Sequence, residues 1–167
     1  MTGANGVRCD AVKSFKPNNK SNTYKDENGG VADDELVHYA RTVGDLRKFG
    51  FNSYRMSISW PRVMSYSMKN GNLTSVVNQQ GISYYLRVLN ALASANIDVA
   101  LTLWHWDTPE ALENYAYAQP ACMVPNATTG SFWLCPHSDE IFLKYATLII
   151  QHYGEWSSSQ QSFAGSA

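Results

Sequence analysis

Long apolar runs are missing from this 167-residue sequence. No stretch nears the roughly 18 consecutive apolar residues that carry a helix across a bilayer, which excludes a helical membrane span. Net charge is nearly absent as well: 13 basic and 14 acidic residues leave a formal −1. That balance provides neither a polybasic membrane patch nor the footprint of a nucleic-acid binder, so neither a membrane nor a nucleic acid is expected as a partner. Cysteine is scarce. Cys9, Cys122 and Cys135 lack metal-ligand spacing, and neither a metal nor a cofactor is expected. Their spacing favours a single pairing of Cys122 with Cys135 around a loop, with free thiols as the alternative. Such a bridge would contribute about 3 kcal/mol. The N-terminus shows no apolar stretch or cleavage pattern, so no signal peptide is visible; either the protein is intracellular or its true start lies upstream, and the compartment stays open. Three Asn-x-Ser/Thr triplets, at Asn19, Asn72 and Asn126, do not decide the matter, since composition alone predicts about two.

What the chain has is a globular composition, 44% hydrophobic, and a periodicity that changes along its length. Residues 1–30 are rich in Asn, Lys, Gly and Ser and read as an irregular arm. From Asp33 onward, Leu36, Tyr39, Ala40, Val43, Leu46 and Phe49 recur at helical spacing, and Gly50 stands where a left-handed residue would end the helix. Tyr54 to Trp60 alternates, with Arg55, Ser57 and Ser59 on a polar face, and is expected to be a strand. A turn-rich segment around Lys69-Asn70-Gly71-Asn72 precedes the clearest helix, striped by Ile82, Tyr85, Leu86, Leu89, Leu92 and Ala93.

Val99 to Trp104 reads as a strand buried on both faces. It runs into His105-Trp106-Asp107, after which Thr108 suits a helix N-cap, Pro109 the first helical position and Glu110 the first turn. A long loop from about Tyr115 to Leu134 follows, then a helix capped by Ser138 with Ile141, Phe142, Tyr145, Leu148, Ile149 and His152 on its buried side. Residues 155–167 are small and polar and are expected to form a disordered tail. Strands alternating with helices argue for an α/β fold with a parallel sheet. In a barrel of such units the strand-to-helix loops carry the chemistry. Aromatic residues, 13% of the chain with 5 Trp and 10 Tyr, supply flat apolar faces with polar edges, a combination useful either in a core or against a sugar ring.

Three segments carry a resemblance. Tyr54-Arg55-Met56-Ser57-Ile58-Ser59-Trp60-Pro61-Arg62-Val63 resembles the Tyr-Arg-Phe-Ser-Ile-Ser-Trp-x-Arg-Ile strand of glycoside hydrolase family 1, the β-glucosidase family. Val77-Asn78-Gln79-Gln80-Gly81-Ile82-Ser83-Tyr84-Tyr85 is similar to its Val-Asn-Gln-x-Gly-x-x-Tyr-Tyr helix start, and Leu103-Trp104-His105-Trp106-Asp107-Thr108-Pro109 to its Leu-Tyr-His-Trp-Asp-Leu-Pro. The likeness runs from about Val31 to Gly154, roughly three quarters of the chain, with an apparent insertion between Tyr115 and Gly130. Glu35-Leu36-Val37 also departs from the family's His-Tyr-His. It implies a partial (β/α)8 TIM barrel of about three βα units in residues 31–154, because a closed barrel takes about 250 residues.

Function follows as an expectation. Retaining hydrolysis of a β-glycoside uses two carboxylates about 5–5.5 Å apart, which the family draws from Thr-x-Asn-Glu-Pro and Ile/Val-Thr-Glu-Asn-Gly segments. Neither occurs here, so no catalytic residue is assigned and the chain alone is expected to be inactive. The resemblance implies that Arg55 orients the nucleophilic carboxylate, a buried ion-pair anchor being its plainer role. It implies further that His105 and Trp106 bind the sugar of a small β-glucoside or oligosaccharide. Trp60 is expected to pack beneath the rim, and Asp107 and Glu110 to stabilise a turn and a helix start. The alternatives are a non-catalytic carbohydrate-binding remnant and a chain without an independent fold.

Overall fold

The computed structural model describes residues 35–125 and 130–164. The arm expected over residues 1–30 and Cys9 lie outside them. Helix α1, Glu35–Lys48, closes with Arg47 and Lys48 in its negative last turn. Gly50 follows with φ 78°, while the Phe51 and Gly50 N–H groups reach back to Leu46 and Arg47 oxygens. That double closure is the left-handed stop anticipated from sequence.

Strand β1, Ser53–Ser57, pairs in parallel with β4, Asp98–Thr102. Between them the chain makes a four-residue helix α2, Trp60–Val63, an antiparallel hairpin of β2, Met64–Lys69, and β3, Asn72–Val77, and helix α3, Gln79–Ser94. Four strands are therefore present among the described residues, where sequence pattern gave two. The hairpin occupies the segment expected only to turn, and its tip uses Asn70 and Gly71, both at positive φ, the pair that a two-residue hairpin loop demands. The first strand is also shorter than expected, since Trp60 begins α2 instead of ending β1; Pro61 at the first helical turn favours that early conversion.

Asn78 starts α3, its side chain accepting the Gln80 N–H at 3.1 Å and donating to the Arg62 oxygen at 2.9 Å. Ile82, Tyr85, Val88, Leu89 and Leu92 are buried along one stripe. After β4 come α4, Glu110–Tyr117, and α5, Ser138–Ala164. The loop between them is closed by the Cys122–Cys135 disulfide across 13 residues, the pairing that spacing favoured. Helix α5 continues through residues 155–164, so the expected disordered tail is helical that far; no proline follows Gly154 to stop it, and the Trp156 indole N–H donates to Asn90 Oδ1 of α3 at 2.7 Å.

The core gathers where α3, α5 and the hairpin meet the helix-facing side of the sheet. Trp60 is fully buried at its centre. It stacks on Tyr145 at 4.8 Å and meets Phe132, Phe142, Trp133 and Tyr66 edge-on or tilted, arrangements that suit the ring quadrupole. Its indole N–H donates to the Tyr66 hydroxyl, which donates onward to Met64 Sδ; burial pushes the Tyr66 phenol up to about 12. Trp60 thus packs as sequence reading expected.

The opposite side of the sheet corrects an expectation. Asp98 and Ala100 of β4 are exposed, as are Ser53, Arg55 and Ser57 of β1, so Val99 to Trp104 is not buried on both faces. Helices cover one face only, and no element lies over the other among the described residues. The architecture is an incomplete α/β barrel wall.

Candidate functional site

Strand alternation builds the site. β1 turns Tyr54 and Met56 toward the helices and Arg55 and Ser57 to the open face, where register sets Ala100 beside Arg55 and Thr102 beside Ser57. Arg55 Nε donates to Thr102 Oγ1 at 2.8 Å, which draws the guanidinium toward the carboxyl end of β4. No carboxylate pairs with it among the described residues. The buried ion-pair anchor considered for this arginine is therefore not what the structure displays; the side chain is exposed.

Past β4 the chain makes a tight excursion. His105 is exposed; its backbone N–H donates to Asp107 Oδ1 at 3.2 Å, and its imidazole has no hydrogen-bond partner among the described residues. Trp106 is 60% exposed and holds φ 70°, a left-handed conformation that a bulky side chain adopts at a cost of about 1–3 kcal/mol. Its ring lies 5.0 Å from that of Trp104. A strained, outward-facing aromatic next to an unengaged imidazole is an arrangement that packing alone does not require.

Asp107 pins this excursion in place. It is 9% exposed, and its second oxygen accepts the Trp60 N–H at 3.1 Å, so one carboxylate joins the exits of β1 and β4. Sequence reading gave Asp107 a turn-stabilising role, and these two bonds supply it. Thr108 differs from expectation. The residue before the helix is Pro109, and the Thr108 hydroxyl is spent elsewhere: it accepts the Trp104 indole N–H at 3.1 Å and bonds the buried carboxylate of Glu113. Glu113 in turn accepts the Phe132 N–H at 3.1 Å. Burial pushes the Glu113 carboxyl above its usual range, against the pull of the Phe132 and Thr108 hydrogen bonds. Glu110 is exposed in the first turn of α4, as expected.

Beneath both strand exits lies Tyr145 of α5. Its hydroxyl reaches the Leu103 oxygen at 2.6 Å and the Ile58 oxygen at 3.2 Å, and burial pushes its phenol well up, with the Asp107 charge adding to the effect. It stays a proton donor across the useful pH range. Sequence reading placed Tyr145 on a buried helix face but could not see this contact, which joins residues 87 and 42 positions apart. Thr102 was also missed, although its parity with Ala100 on β4 was the available cue. The structure thus joins Arg55 to Thr102, and His105 and Trp106 to the Asp107 turn. No direct contact links Arg55 to His105 among the described residues, and no group of three or more His, Cys, Asp or Glu could hold a metal there.

The chain is 46% identical over 87 residues to Beta-glucosidase 14 of Arabidopsis thaliana, covering 52% of this chain and 17% of that protein. It is 38% identical over 100 residues to Beta-glucosidase 24 of Oryza sativa subsp. japonica, covering 60% and 19%. It therefore spans less than a fifth of the length of these curated relatives. Among solved structures, the family 1 β-glucosidase from Thermotoga maritima superposes with a TM-score of 0.66 at 26% identity, over 93% of this chain and 31% of that one. The same enzyme has been solved in complex with azafagomine. The sequence model of glycosyl hydrolase family 1 matches residues 3–157, nearly the whole length, and the chain belongs to that family.

Proposed function

We propose that these residues form one wall of the sugar pocket of a β-glucosidase-like retaining hydrolase whose substrate is a small β-glucoside or oligosaccharide. Arg55 is proposed to present its guanidinium to the attacking carboxylate, keeping it ionised and aligned through paired N–H donors. His105 is proposed to donate to a sugar hydroxyl, with Trp106 as the apolar platform for the ring. The reaction needs one carboxylate to attack the anomeric carbon and another to protonate the leaving oxygen. We infer that both come from outside these 167 residues.

The observation that supports this most is the open face itself, where Arg55 has no acidic partner among the described residues and His105 and Trp106 face solvent just beyond the strand end. Asp107 and Glu113 are poor substitutes for the reactive pair, because backbone N–H groups already occupy both. The purified 167-residue protein should release no nitrophenol from an aryl β-glucoside. Sustained turnover that copurifies with the chain and disappears in Arg55→Ala would refute the proposed absence of the acids. A non-catalytic carbohydrate-binding role is the second reading, favoured by the same exposed imidazole and indole. Quenching of tryptophan fluorescence by cellobiose, abolished in His105→Ala, would support it.

A further inference from the structure

The β2–β3 hairpin has two unlike faces. Met64, Tyr66, Leu73, Ser75 and Val77 turn toward the body, where Tyr66 meets Trp60 and Lys144 of α5 donates to Ser75 Oγ at 2.9 Å. The other face carries Ser65, Ser67 and Lys69 beside Asn72, Thr74 and Val76, with register pairing Lys69 to Asn72 and Ser67 to Thr74. Asn72 opens β3 directly after the Asn70-Gly71 turn and is exposed, and its side-chain amide has no hydrogen-bond partner among the described residues. Six-residue strands set this tip about 20 Å from the point where the hairpin leaves the core. Val76, on the same outward face, is 64% exposed.

Asn72-Leu73-Thr74 is one of the three triplets that composition alone could not interpret; Asn19 and Asn126 lie outside the described residues. Two structural observations lift Asn72 above chance. Its side chain projects from a hairpin tip away from the body, with space for a bulky group. The Cys122–Cys135 bridge is the second, since a structural disulfide forms in an oxidising compartment, the one in which such triplets are read.

We propose that Asn72 is an acceptor for an N-linked oligosaccharide. The donor class is a lipid pyrophosphate-linked oligosaccharide. Nδ2 of Asn72 attacks the anomeric carbon of the first sugar, the bond from that carbon to the pyrophosphate oxygen breaks, the lipid pyrophosphate leaves with the electron pair, and one amide proton passes to the transferring enzyme's base. The attached sugars then lie along the Ser67, Thr74 and Val76 face, shielding the exposed valine, and remain clear of Arg55 on the other sheet and of His105 in the loop that follows β4.

The full chain, translated behind a cleavable secretory leader into microsomes, tests this without requiring secretion. Glycopeptide mass spectrometry should find hexose and N-acetylhexosamine on the peptide containing Asn72. Asn72→Gln and Thr74→Val should each remove one glycan-sized mobility step, and Thr74→Ser should keep it. An unmodified Asn72 peptide from the membrane-enclosed chain overturns the proposal, as does a number of mobility steps that Asn72→Gln and Thr74→Val leave unchanged.

Discussion

Single side chains carry much of this structure, and two carboxylates show how differently burial can act. Asp107 accepts two backbone N–H groups at the strand exits. Each bond to a charged acceptor is worth about 1.5–3 kcal/mol, so Asp107→Ala should lower the unfolding free energy by roughly 3–6 kcal/mol, read from the midpoint of urea denaturation. Glu113 is only 7% exposed, and its carboxyl is held above the usual range. A carboxyl raised on folding binds its proton more tightly in the native state. Its contribution therefore favours the fold at acid pH and is lost as pH rises through the shifted value. Glu113→Gln keeps an oxygen for the Phe132 N–H and should flatten that part of the pH dependence, with a higher Tm at pH 7 than the parent chain. Trp106 separates stability from recognition. Trp106→Gly should relieve the left-handed strain at φ 70° and leave the Tm unchanged or slightly higher, while removing any sugar-dependent change measured by calorimetry.

At the scale of elements, the Cys122–Cys135 bridge closes the loop between α4 and α5. Replacing both cysteines with alanine should cost about 3 kcal/mol of chemical stability. The main elements were legible because their periods were clean: Leu46 and Gly50 end α1 as written, and the Ile82 to Leu92 stripe fixes α3. The hairpin escaped because its outward face is Ser65, Ser67 and Thr74, so composition imitates a loop while Met64, Tyr66 and Met68 alternate within it. Only Asn70-Gly71 gave the hairpin away. The extension of α5 escaped for the opposite reason, since the polar text of residues 155–164 hides a helix anchored by the aromatic ring of Trp156 on Asn90. Arg55, His105 and Trp106 came to notice through motif order, and all three are exposed; Thr108 was noticed for the wrong role, its hydroxyl being held by Trp104 four residues away, whereas the contacts of Thr102 and Tyr145 became visible only when segments distant in sequence lay side by side.

Over the whole molecule, the balance of covered and open surface matters most. The parallel sheet has two strands among the described residues, one face without a layer over it, and Phe49, Phe51, Leu143 and Ile150 all more than half exposed. Exposed apolar side chains bind apolar probes, and unpaired strand edges invite association. The isolated chain should bind a hydrophobic fluorescent dye and show a concentration-dependent mass by light scattering; a dye-silent, strictly monomeric chain would mean that these apolar side chains and strand edges are covered in solution. With so little of the sheet present, cohesion at its carboxyl end rests on a few bonds, among them the Asp107 carboxylate and Tyr145, whose single proton is shared between Leu103 and Ile58. The two strands consequently behave at that end like shutters on a common latch. Whatever lifts α5, whether heat or a proteolytic nick in the preceding loop, should let both swing and expose the Ile58 amide, which donates to the Thr102 oxygen across the strands, to rapid deuterium uptake while the amides of α3 stay dark.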